Sequence, residues 1–231
     1  MHQIQADSAR NAVHPRIQGD DLMDITSINV NVHSSIKIDC GKVIYIDPFK
    51  LDETTHDADY IFLTHDHYDH MSMPDIFKVL NDKTVFVIPA ALEMEIRRNT
   101  PVGSQICVVP GKSYETKDFS FETIPAYNRL KPFHPRKAGW VGYVINIDGT
   151  RIYIAGDTDA TKVAESVKCD IALVPVGGTY TMNYKEAAAL VNRIKPQYAI
   201  PIHYGSLVGS KEDGERFKHL IDTKIHVRIL L

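Results

Sequence analysis

Residues 64–70 read Thr64-His65-Asp66-His67-Tyr68-Asp69-His70, packing three imidazoles and two usable carboxylates into one short segment. Imidazole nitrogen and carboxylate oxygen are the donors that zinc-class ions accept. The segment follows the apolar run Tyr60-Ile61-Phe62-Leu63. Side chains two apart in an extended chain face one side, so His65 and His67 can meet the same ion. Asp69 and His70 can then turn toward an adjacent second position. The chemistry on offer is metal-assisted hydrolysis, with water acidified from a pKa of 15.7 toward about 7.

Two further motifs place a ligand-type residue at the end of an apolar run. Ile152-Tyr153-Ile154-Ala155 leads into Gly156-Asp157-Thr158, and Ala199-Ile200-Pro201-Ile202 leads into His203. Alone, Gly-Asp-Thr more often marks a turn or a helix cap, and a lone His after a strand is more often structural. Together with residues 64–70 they point to one site, because ligands collect at the ends of sheet strands.

The elements that must position these residues follow from hydrophobic periodicity. Strands are expected over 25–32, 35–39, 42–46, 60–63, 84–88, 106–109, 114–117, 119–124, 141–147, 151–155, 171–176, 198–202 and 225–230. Asp148-Gly149-Thr150 is a strong hairpin turn. Helices are expected over 75–80, entered through Pro74, and over 90–98, 161–167, 184–194 and 213–221. Asn183 and Glu186 fit a capping box for the helix at 184–194. This order, a β-rich stretch with helices followed by another, predicts two sheets packed face to face with helices outside.

The 231 residues carry a formal net charge of −3, which gives no electrostatic case for nucleic acid as a partner. The expected partner is a small-molecule substrate. No apolar run approaches the roughly 20 residues that span a bilayer. Cys40, Cys107 and Cys169 are far apart and read as core residues of a reducing, cytoplasmic protein. Residues 1–22 lack both a sustained apolar pattern and a secretory apolar region, and read as a leader or extension. His2 and His14 are therefore poor site candidates, and 23–231 is expected to form one domain. No pattern fixes an oligomeric state.

Over 23–231 the sequence resembles the metallo-β-lactamase superfamily. The likeness rests on Ile46-Asp47-Pro48, residues 65–70, Gly156-Asp157-Thr158 and Pro201-Ile202-His203. Gly139-Trp140-Val141-Gly142-Tyr143 adds a likeness to compact hydrolases related to ascorbate-phosphate lactonases and N-acyl phosphatidylethanolamine phospholipases. The resemblance implies an α/β fold, a four-layer αββα sandwich with the metals at one edge. It implies that His65 and His67 bind a first ion, that Asp69, His70 and His203 bind a second, and that Asp157 bridges them. Asp47 would orient a ligand imidazole without touching metal.

The chain departs from the family pattern at one corner. Where a third His for the first ion is expected, after Ile124-Pro125-Ala126, it reads Tyr127-Asn128. Three accounts stay open: His134 swings in, Asn128 supplies an oxygen that would favour Mn²⁺ over Zn²⁺, or only one ion binds tightly.

The function implied is hydrolysis of an ester, lactone or phosphodiester by hydroxide, with Asp69 orienting the water and shuttling its proton. Tyr180, Thr181 and Met182 are candidates to line the pocket. One alternative is an iron-dependent redox protein, although the diiron branch typically has Glu where this chain has His67. Another is a metal-binding protein of the same fold whose site no longer catalyses.

Overall fold

The computed structural model describes residues 23–101 and 103–231. The leader expected over 1–22, with His2 and His14, lies outside the described residues.

Thirteen strands form two sheets among the described residues. The first holds β1 (Ile28–Val30), β2 (Ile36–Asp39), β3 (Val43–Ile46), β4 (Tyr60–Phe62), β5 (Val85–Pro89) and β6 (Gln105–Val108), side by side in chain order. The second holds β7 (Ser113–Glu115), β8 (Ser120–Pro125), β9 (Val141–Ile147), β10 (Thr150–Ile154), β11 (Ile171–Pro175), β12 (Tyr198–Ile202) and β13 (His226–Val227), likewise in order. Each sheet begins as an antiparallel meander and ends in parallel strands: β3 to β6 in one, β10 to β13 in the other.

Strand alternation builds the layers. Ile44 and Ile46 of β3 enter the core shared by the two sheets, where they join Phe62, Phe121, Tyr143, Ile154 and Ile200. Tyr45, between them, faces outward into a second cluster with Ile76 and Val79 of α1 (Met73–Val79) and Ile96 of α2 (Glu93–Asn99). On the far side, Tyr153 and Val174 pack against Leu190 of α3 (Tyr184–Ile194) and Phe217 of α4 (Asp213–Lys218). Both sheets are thus apolar on both faces, each large side chain contributing about 1.5–3 kcal/mol on burial. The result is the expected αββα sandwich.

Several elements are shorter than the sequence pattern suggests. Residues 25–27 form a 3₁₀ turn rather than the start of a strand, because Asp24 accepts the Thr26 N–H and caps it. Residues 90–98 divide into a 3₁₀ turn, Ala90–Leu92, and α2. The helix expected over 161–167 is only a 3₁₀ turn, Ala164–Ser166, and the last strand is reduced to β13. The capping box at Asn183 and Glu186 forms as expected.

Candidate metal centre

Parallel strands deliver their C-terminal ends to one edge, and the chemistry-bearing residues sit there. Asp47 follows β3, residues 64–70 follow β4, Asp157 follows β10 and His203 follows β12. The close passage of the segment after β11 beside His203 requires glycine. A Cβ on Gly177 would lie 2.2 Å from the His203 carbonyl oxygen.

Two groups of donors result, each with its ligand atoms within 4.8 Å of one another. The first is His65, His67, His134 and Asp157; the second is His33, Asp69, His70 and His203. Asp157 joins them, with Oδ2 3.2 Å from His134 Nε2 and 3.1 Å from His203 Nε2, and Oδ1 3.3 Å from His70 Nε2. Donors bound to one ion at about 2.1 Å sit roughly 3.0–3.4 Å apart, so these separations suit shared ions. Each group has one half-buried member, His67 or Asp69, and three buried ones. Those two residues mark the side open to solvent, where the Trp140 ring lies edge-to-face with His67 and tilted against His65, at centroid distances of 4.9 and 5.0 Å.

Hydrogen bonds behind the donors fix which ring nitrogen faces inward. Asp47, itself buried at a φ of 47°, accepts from His70 Nδ1 at 2.7 Å. Its carboxylate also accepts the Thr64 backbone N–H and hydroxyl, and Thr64 Oγ1 lies 2.9 Å from His65 Nδ1. One carboxylate therefore holds an imidazole of each group, directly or through Thr64. His134 is held differently. Its Nδ1 bonds to Asn128 Oδ1 at 3.0 Å, and the Asn128 amide donates onward to Asp159 and to the Tyr180 carbonyl. Lys131 and the Arg129 N–H also bind Asp159, which straps this loop down.

The inward atoms are left bare. His70 Nε2, His134 Nε2, His203 Nε2 and Asp157 Oδ1 are buried without a hydrogen-bond partner. Buried polar atoms are normally paired, and four such atoms around common points are what a divalent cation would satisfy. Nitrogen and carboxylate donors fit a zinc-class ion. Burial, reinforced by neighbouring imidazoles, holds His65 well below the usual imidazole range and lowers His67 too, which favours the neutral, ligating form. Burial opposes the charge on Asp157, but His203 and His70 outweigh it and keep the carboxylate ionised.

His134 thus enters the first group, while Asn128 stands behind it as a hydrogen-bond partner and offers no oxygen to an ion. Thr181 and Met182 do not line a pocket, being fully buried; of that trio only Tyr180 is exposed. His33 was not anticipated. Applying the strand-end rule to the first strand as well would have pointed to it.

Residues 27–203 match the beta-lactamase superfamily domain. A UPF0173 metal-dependent hydrolase of Thermococcus onnurineus is 33% identical over 213 residues, spanning 86% of this chain and 93% of that protein. The chain belongs to this superfamily, within its UPF0173 metal-dependent hydrolase family. Among solved structures, a Parabacteroides distasonis protein described as a metal-dependent hydrolase superposes with a TM-score of 0.72 at 30% identity, covering 87% of this chain and 91% of that one. CmlA, a diiron β-hydroxylase from Streptomyces venezuelae, shares the fold alone, with a TM-score of 0.69 at 14% identity over 88% of this chain and 52% of its own. Among the described residues no helix is long and apolar enough to cross a membrane.

Proposed function

We propose that residues 23–231 form one catalytic domain that hydrolyses an ester, lactone or phosphodiester bond in a small molecule, using one or two Zn²⁺ ions, with Mn²⁺ as the alternative. His65, His67 and His134 would hold the first ion, Asp69, His70 and His203 the second, with Asp157 between them. The observation that carries this reading is the Asp157 carboxylate, which lies within 3.3 Å of imidazoles from both groups. When bound, the ions would supply Lewis acidity and lower the pKa of a coordinated water toward about 7.

The chain's own residues do the rest. Asp69 is the donor-set carboxylate nearest solvent, and it orients the attacking water. In the metal-free protein burial raises its pKa, but the hydrogen bond from His33, with the charge of His70, prevails and brings it to about 2. Ionised, Asp69 accepts a hydrogen bond from the water, and the proton passes on to solvent. The loop that carries His134 bears no acidic residue, and although Lys131 is paired with Asp159, Arg129, Arg136 and Lys137 on the same loop are exposed. That balance favours an anionic substrate, and so a phosphodiester over a neutral lactone. Three free cysteines fit a reducing, cytoplasmic setting.

A panel of chromogenic phosphodiesters, esters and lactones, assayed with added Zn²⁺ or Mn²⁺, tests the proposal. Turnover of one class is expected, with His65→Ala and Asp157→Ala abolishing it in folded protein. Silence on every class, from protein that elemental analysis finds metal-free, would overturn it.

A further inference from the structure

His33 occupies the turn between β1 and β2, which is closed by hydrogen bonds from Asn31 N to Ser35 O and from Ser35 N to Val32 O. It is fully buried and has a φ of 58°, a conformation that a residue with a Cβ rarely adopts. Such strain marks functional positions when the surroundings enforce it. Here the surroundings are two members of the second donor group, one from each half of the sandwich. His33 Nε2 lies 3.1 Å from Asp69 Oδ2, in the loop after β4. Its ring sits 3.7 Å, centroid to centroid, from that of His203, after β12. Its carbonyl accepts the His203 N–H at 2.8 Å, and His203 is itself left-handed, with a φ of 59°.

Burial also places the hydrogen on the His33 ring. Nδ1 is buried and makes no hydrogen bond. Orphaned buried N–H groups are rarer than under-satisfied acceptors, so Nδ1 carries the lone pair and Nε2 the hydrogen. Nε2 then donates to Asp69 and has no lone pair left for an ion.

We propose that His33 is a positioning residue that clamps Asp69 and His203 as the second-ion site without being a ligand of that ion. The inference rests on the two-ion reading above. It adds that the second site is completed by a residue of the first sheet's outermost turn, so ion affinity there depends on β1 and β2 staying in register.

The test compares wild type, His33→Phe, His33→Gln and Asp69→Ala by Zn²⁺ titration against a chromophoric chelator, with Co²⁺ absorption as a second readout. Phenylalanine keeps a ring on His203 but cannot donate; glutamine carries an amide donor near the position of Nε2. The expected result is that His33→Phe weakens the second ion about 10- to 100-fold, the usual cost of losing such a partner. The first ion should be unaffected, and His33→Gln should recover most of the loss. If the phenylalanine does not fit, His33→Ser should show the same selective loss. Wild-type affinity for both ions in His33→Phe or His33→Ser would overturn the clamp. So would a loss in His33→Gln as complete as in Asp69→Ala, which would make His33 a ligand. A wild-type protein that takes up only one ion would instead overturn the two-ion reading, and the clamp with it.

Discussion

Asp47 Oδ2 lies 2.7 Å from His70 Nδ1, and the same oxygen accepts the Thr64 hydroxyl that stands beside His65 Nδ1. A single buried carboxylate thereby orients one imidazole in each donor group. Asp47→Ala should lower the affinity for both ions about 10- to 100-fold each, whereas His33 variants should act on one. Chelator competition with Zn²⁺ reads the difference, and a loss confined to one ion would contradict this role for Asp47.

Asp157 and Asp159 stand two apart in Gly156-Asp157-Thr158-Asp159 but face different tasks. Asp159 binds Asn128, Lys131 and the Arg129 N–H, and so acts on His134 through Asn128 and the loop they share rather than directly. Asp157→Ala should remove both ions. Asp159→Ala should keep the second ion and weaken the first about 10-fold or more. Elemental analysis after dialysis would separate the two outcomes.

Gly177→Ala should destabilise the protein, because the new Cβ would meet the His203 carbonyl oxygen at 2.2 Å and Val208 Cγ2 at 2.9 Å. Relieving that overlap requires backbone movement, at about 1–3 kcal/mol by analogy with overpacked cores. A lower melting temperature, with His203 displaced and the second ion weakened, is the expected result. An unchanged melting temperature would show that the strand end yields freely.

His70 links stability to pH in opposite senses with and without metal. Burial disfavours its charge, but Asp157 and Asp47 outweigh burial and raise its pKa from 6.5 to about 9. A raised folded-state pKa stabilises the metal-free protein fully below 6.5, and that contribution is lost as pH rises toward 9. Metal needs the Nε2 lone pair, so ion affinity should climb over the same interval, with release of a proton on binding. Thermal unfolding in chelator and Zn²⁺ titrations from pH 6.5 to 9 should therefore run in opposite directions. Parallel trends would exclude His70 as the linked group.

What the sequence determined by itself is local. Period-two apolar patterns encode which face of each strand is buried, and they encode it twice over where both faces are covered, as in Tyr60-Ile61-Phe62. The motif at 64–70 places its donors by neighbouring residues alone, so it is legible without a fold. Asp157 and His203 each end an apolar run, a signal that is weak alone and gains weight only beside the motif at 64–70. The tertiary structure decided the remainder. His134 rather than Asn128 faces the donors because Asp159 and the Tyr180 carbonyl occupy the Asn128 amide, a choice made by partners 31 and 52 residues away. His33 meets Asp69 across 36 residues of sequence through a turn whose strain no spacing announces. Hydrogen bonds between loops that follow different strands have no local period, and only the assembled sheets bring those atoms within reach of one another.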